Sequence, residues 1–204
     1  MVLIDELIQE GWIKTPRIID AFRQIRRKDF VPTELEDAAE INEALPIGFG
    51  QTISQPLVVA FIIEQVAPKQ GGKVLDIGAG SGWTTALLAH IVGEKGKVIA
   101  LEVIPELAEF GKANVAKHSF IEKGRVEFLQ KDGSEGYVKE APFDGILVSA
   151  ALSSKSLPGS WKKQIRNGGK IVVPIMNSIW VFTKKSKVEF EEKEYPGFAF
   201  VPFV

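Results

Sequence analysis

The stretch VLDIGAGSGW, residues 74–83, decides the fold. The apolar run KVLDI (73–77) reads as a short buried strand, and WTTALLAHIV (83–92) after the glycines reads as a helix. Gly78, Gly80 and Gly82 therefore fall at a strand-to-helix turn. Glycine there permits a tight bend and lets a ligand approach backbone N–H groups at the helix N-terminus. The spacing is GxGxG with Asp76 in front, whereas a dinucleotide fingerprint requires GxGxxG. No GKS or GKT follows, which disfavours a nucleoside-triphosphate loop. Tight packing alone would also account for such glycines, so the neighbouring strand ends have to distinguish the two readings.

Downstream, GKVIALE (96–102) is a second strand and IPELAEFGKANVAK (104–117) an amphipathic helix. RVEFLQ (125–130), FDGILVS (143–149) and GKIVVPI (169–175) continue as strands, with a helical LPGSWKKQI (157–165) between the last two. Strands separated by helix-length segments indicate βαβ units and a parallel sheet. The tail from Ser178 alternates without a helix and predicts an antiparallel pair at one edge, with FAFVPFV (198–204) as a core strand. Upstream, LIDELIQEGW (3–12) and PRIIDAFRQI (16–25) carry helical periodicity, the second opened by Thr15 as N-cap and Pro16. ELEDAA (34–39) suggests a short helix, and SQPLVVAFIIEQVAP (54–68) a longer one capped by Ser54. The expectation is one α/β domain over 1–204. A helical N-terminal extension spans 1–70, and the sheet with its C-terminal strands spans 71–204.

The 204 residues, 45% apolar and 25% charged, suit a globular chain able to bury a large core. A formal net charge of −1 supplies no basic field for nucleic acid or an anionic membrane. No apolar run reaches membrane-spanning length, and the first residues lack the order of a secretion signal, so a cytoplasmic location is expected. The absence of cysteine excludes disulfides and thiolate catalysis. His90 and His118 are too few for a histidine relay or a metal site, and none is expected. His118 reads as solvated and His90 as a helix-surface or packing residue. RQIRRKDF (23–30) and TKKSK (183–187) read as solvated basic faces, and Trp161 and Trp180 as packing residues. Trp83 is equally suited to lie beside a ligand or against the sheet.

Glu102 ends the second strand, where a carboxylate can accept bonds from both hydroxyls of a ribose. KDGSEG (131–136) places Asp132 and Gly133 after the third strand, near a bound adenine in such sheets. These strand ends converge on one crevice. The combination resembles the S-adenosylmethionine site of the seven-stranded, Rossmann-like methyltransferases.

LPIGFGQTISQPLVVA (45–60), GGKVLDIGAGSGW (71–83), APFDGILVSAA (141–151), IRNGGKIVVPI (165–175) and FVPFV (200–204) together resemble the protein-L-isoaspartate O-methyltransferases. The resemblance runs from about Phe30 to the end, and the GQTIS run is its most specific part. It implies a mostly parallel seven-stranded sheet with antiparallel C-terminal strands and an altered order of the last two. The implied activity is methylation of L-isoaspartyl carboxylates in damaged proteins, leading through a succinimide to repair. S-adenosyl-L-methionine is the implied cofactor and S-adenosyl-L-homocysteine the product. Ser54 carries over as the catalytic residue, and Ile53, Asp76, Gly78, Gly80, Gly82, Glu102, Asp132 and Gly133 as cofactor-binding. Thr52, Ser54 and Val201 fall on the substrate side. Isoaspartyl proteins and peptides are the expected partners, with no nucleic acid, no membrane and a monomeric state.

The chemistry suits this inventory. A carboxylate acceptor with a pKa near ~4 is already ionised at neutral pH and needs no general base. The protein has mainly to hold it about 3–3.5 Å from the methyl group, in line. Two features depart from the resemblance: MNSIW (176–180) is short, and Ala199 stands where an arginine is common. They leave a second reading open, a divergent methyltransferase for another carboxylate or a small-molecule acceptor. VSAAL (148–152), in place of an NPPY-like motif, disfavours a nucleic-acid methylase.

Overall fold

The computed structural model describes residues 2–203. Two N-terminal helices, α1 (Val2–Gln9) and α2 (Pro16–Gln24), lead through 3₁₀ turns at Arg27–Phe30 and Thr33–Ala38 into a hairpin of β1 (Leu45–Gly48) and β2 (Gln51–Ile53). Then follow α3 (Pro56–Val66), β3 (Lys73–Ile77), α4 (Trp83–Val92), β4 (Lys97–Glu102), α5 (Pro105–Ala116), β5 (Val126–Gln130) and β6 (Phe143–Val148). Helix α6 (Gly159–Gln164) and strands β7 (Ile165–Ile175), β8 (Ser178–Lys184) and β9 (Phe190–Pro196) complete the order.

The main sheet has seven strands in the order β5-β4-β3-β6-β7-β8-β9. The pairings from β5 to β7 are parallel, and β8 and β9 add antiparallel. The strand order reverses at β3, between β4 and β6, so a crevice opens beyond the carboxyl ends of these strands. Period-two alternation divides β3 between two cores. Val74 joins the layer made by α1 to α5, while Leu75 and Ile77 join the layer around α6.

Four expectations need correction. FAFVPFV is not a strand. Gly197, at φ +94°, turns the chain away from the sheet after Pro196, and among the described residues only one bridge, Pro202 to Ala151, forms afterwards. Val204 lies outside the described residues. Ser54 is not the N-cap of α3. Pro56 opens that helix and favours an extended preceding residue, so Gln55 takes the cap position. Asn42 Oδ1 accepts the Leu57 N–H at 3.0 Å, the kind of bond a capping serine supplies. His118 is not solvated: its ring stacks on Phe30 and Phe120, and burial holds its imidazole below the usual range, opposed by Asp29. Neither basic run is uniformly solvated: Arg27 is buried, and so is Lys184 of 183–187, whose Nζ donates to Lys162 O and Ile165 O.

Candidate active site

Four parallel strands end at one cleft. Ile77 to Ser81 contribute from β3, Leu101 to Ile104 from β4, Lys131 and Gly133 from beyond β5, and Ser149 and Ala150 from beyond β6. The cleft holds about 760 Å³ of space, part of it open to solvent. Its remaining walls are Gln51 to Ser54 and Val201 to Phe203.

The glycine loop is tied inward. The N–H groups of Gly78 and Ala79 both reach Leu101 O, at 2.9 and 3.1 Å. Gly80 N–H donates to Glu102 Oε2 at 2.8 Å, and Ile104 N–H to Glu102 Oε1 at 3.0 Å. The glycines therefore supply room more than donors, a shift from the sequence expectation. Gly82, at φ +85°, adopts a backbone conformation suited to glycine. A Cβ there would also lie 2.7 Å from both Gly111 O and Val115 Cγ2. It closes the turn from beneath and is absent from the cleft lining.

Asp76 likewise lies beneath the loop. Alternation puts it on the Val74 side of β3, under α4, where it is wholly buried and takes the Thr85 hydroxyl at 2.6 Å. Burial raises its carboxyl to about 7; the Thr85 bond opposes this and the Glu102 charge adds to it. Asp132 folds onto its own turn, accepting from Ser134 N–H at 2.8 Å and Ser134 Oγ at 3.0 Å. Gly133 lines the cleft, and a Cβ there would collide with the Ile77 side chain. Its carbonyl accepts the indole N–H of Trp161 at 2.8 Å. Next to it, Ser160 Oγ holds Ser134 O at 2.8 Å and Gln164 Nε2 holds Glu135 O at 2.7 Å. Trp161, read from sequence as packing alone, thus also fixes the loop after β5. Nothing in a lone tryptophan between two strands signals that bond.

The β1–β2 hairpin supplies the facing wall. Phe49 and Gly50 form its two-residue turn with φ of +54° and +71°, the signs that a type I′ turn requires. Ile47 leans against Gly80. Trp83 is buried against Phe22 of α2, its indole N–H donating to Ile25 O at 3.3 Å, and it also borders the cleft.

A second groove adjoins the first. Trp12, Ala44, Leu57 and the run Pro196 to Val201 line it. Thr52, Ser54, Ser149 and Val201 line both cavities and form the seam between them. Among the described residues no group bonds the Ser54 hydroxyl. The Val201 carbonyl accepts from Ala151 N–H at 2.8 Å, so its N–H is what it has left to offer. Ala199 lines the groove, whereas Met176 stands exposed in the β7–β8 turn and borders a separate cavity with Leu152 and Phe203.

The donor set fits a nucleoside carrying a cationic side chain. Each oxygen of Glu102 keeps acceptor capacity beyond its one backbone bond, and the slot above Gly78 and Gly80 has no side chain to fill it. The sheet order, the glycine loop and the acidic end of β4 define an S-adenosylmethionine-dependent methyltransferase.

The profile of the protein-L-isoaspartate(D-aspartate) O-methyltransferases matches residues 1–204, and the chain belongs to that family. It is 40% identical to a protein-L-isoaspartate O-methyltransferase of Methanopyrus kandleri, over 99% of this chain and 89% of the relative. A solved structure described by the same enzyme name superposes with a TM-score of 0.86 at 28% identity, over 98% of this chain and 64% of that one. A Plasmodium falciparum protein assigned to the same activity, crystallised with S-adenosyl-L-homocysteine, gives a TM-score of 0.88. At 22% identity, over 100% of this chain and 97% of that one, it shows the shared fold. The chain's activity is methyl transfer from S-adenosylmethionine to isoaspartyl residues. No described helix is long and apolar enough to cross a membrane.

Proposed function

We propose that the seam formed by Thr52, Ser54, Ser149 and Val201 is where the isoaspartyl carboxylate of a damaged protein meets the methyl donor. The supporting observation is that these four residues line both the cleft and the groove. Bound in the cleft, S-adenosylmethionine supplies an electrophilic methyl group on a sulfonium. Ile53, Gly78, Gly80, Glu102 and Gly133 hold it, while Asp76 and Gly82 shape the turn beneath and Asp132 shapes the loop that presents Gly133. The Ser54 hydroxyl and nearby backbone N–H groups orient the acceptor carboxylate. The Val201 N–H pairs with the substrate backbone in the groove.

The acceptor attacks as the carboxylate it already is at neutral pH, and the absence of a basic side chain at the seam accords with that. Positioning is then the protein's main contribution. One domain serves both substrates. It works as a monomer in the cytoplasm, this chain lining both the cleft and the groove.

The test pairs an isoaspartyl peptide with its aspartyl control. Methyl ester should form on the first alone, and Ser54→Ala should lower kcat/KM roughly 10- to 100-fold, equivalent to one charge-assisted bond. Homocysteine-product affinity should stay unchanged. Unchanged turnover in Ser54→Ala would remove Ser54 from the mechanism.

A further inference from the structure

Arg27 is 4% exposed, although it comes from a run of charges that reads as surface. Its guanidinium gathers backbone carbonyls from two separate segments. Nη1 donates to Ala39 O at 3.0 Å and Ile41 O at 3.2 Å. Nη2 donates to Glu43 O at 2.8 Å, Ser54 O at 3.1 Å and Ile53 O at 3.4 Å. Its other side lies over the Trp83 ring, 5.5 Å from the centroid. Burial lowers the guanidinium to about 10, with Glu40 opposing, so it stays cationic at neutral pH. A buried cation is costly unless its donors are well satisfied, and here carbonyl oxygens do most of that work.

The last two of those carbonyls matter for catalysis. Ile53 C=O shares a peptide unit with Ser54 N–H, and Ser54 C=O shares one with Gln55 N–H. In a planar trans peptide the N–H points away from the carbonyl of the same unit. A cation on the carbonyl side therefore leaves both N–H groups facing the other way, where Ser54 and Gln55 border the groove. Neither N–H has a hydrogen-bond partner among the described residues. Pulling electron density toward the oxygen also makes each N–H a better donor, since hydrogen-bonded peptide groups polarise one another.

We propose that Arg27 is a positioning residue for methyl transfer, aligning and polarising the Ile53–Ser54 and Ser54–Gln55 peptide groups so that their N–H groups receive the isoaspartyl carboxylate beside the Ser54 hydroxyl. This rests on the seam being the acceptor site, which Ser54→Ala tests separately. The selected substrate group is an anion with two coplanar oxygens, able to take the two amides and the hydroxyl together. Arg27 reaches the substrate through two peptide groups and does not touch it.

The test is a double-mutant cycle read by methyl transfer to an isoaspartyl peptide. Arg27→Lys keeps the charge but cannot span these carbonyls, and should lower kcat/KM about tenfold or more while homocysteine-product affinity stays within about threefold. Combined with Ser54→Ala, the loss should fall well short of the product of the single losses, because both changes disable one carboxylate-binding unit. Losses that simply multiply would overturn the proposal. If Arg27→Lys does not fold, the wild-type protein decides. In amide NMR spectra with S-adenosylhomocysteine bound, an isoaspartyl peptide should move the Ser54 and Gln55 signals downfield, and the aspartyl control should not. Two unmoved amides beside a demonstrably bound peptide would overturn it.

Discussion

The indole N–H of Trp161 donates to the carbonyl of Gly133 at 2.8 Å, so helix α6 on one side of the sheet fixes a loop that borders the donor cleft. Trp161 is wholly buried, so this bond forms away from competing water. Trp161→Phe deletes the donor and leaves a small void where part of the indole stood. It should cost roughly 2 kcal/mol or more of stability and weaken S-adenosylmethionine binding about threefold, measured by calorimetry. Trp180→Phe, at the outer strands, should leave that affinity unchanged.

Glu102 holds two backbone N–H groups and offers its remaining lone pairs to the cleft. Glu102→Gln must turn an amide NH₂ toward Gly80 N–H or Ile104 N–H, so one bond becomes a repulsion. Affinity for S-adenosylmethionine should fall roughly 10- to 100-fold, with a smaller change in kcat at saturation. Equal affinity in a binding titration would show that this carboxylate is only a structural tie.

Asp76 provides a pH signature. Its folded-state pKa of about 7 stands above the ordinary 3.8, so the folded chain keeps a proton that the unfolded chain releases. Between those values stability falls as pH rises, by at most about 1.4 kcal/mol per pH unit. Asp76→Asn can still accept from Thr85 and should flatten that part of the profile, making the variant relatively more stable at pH 8 than at pH 5. Parallel urea-melt profiles for the two proteins would refute the assignment.

Gly82→Ala tests the turn beneath the cleft. The left-handed backbone costs an alanine about 1 kcal/mol, and contact with Gly111 O and Val115 adds to it. A loss of roughly 2 kcal/mol or more is expected, lowering Tm by about 4–8 °C. An unchanged melt would mean that the loop yields freely.

The βαβ core was legible because each element carries its own periodicity, and because the glycine loop marks where the strand order turns. The C-terminal antiparallel pair was legible in the same way. What escaped depends on contacts distant in sequence. Arg27 looks like any charge in RQIRRKDF until carbonyls from 39–43 and 53–54 close around it. FAFVPFV has strand composition, but Gly197 turns it off the sheet. Thr15 was read as a simple cap, yet its hydroxyl and N–H both go to Glu64, forty-nine residues away. Asp76 shows that a motif can name the right residue and leave its place open. Strand alternation, not the motif, puts it below the cleft.

The irregular stretch after Gly197 runs between two cavities, both open to solvent. Residues 201–203 stand between the two, fastened by the paired bonds of Ala151 N–H to Val201 O and Phe203 N–H to Ala151 O. This end of the chain is thus a partition between cleft and groove. With donor and acceptor placed as proposed above, either one can be exchanged while the other stays seated.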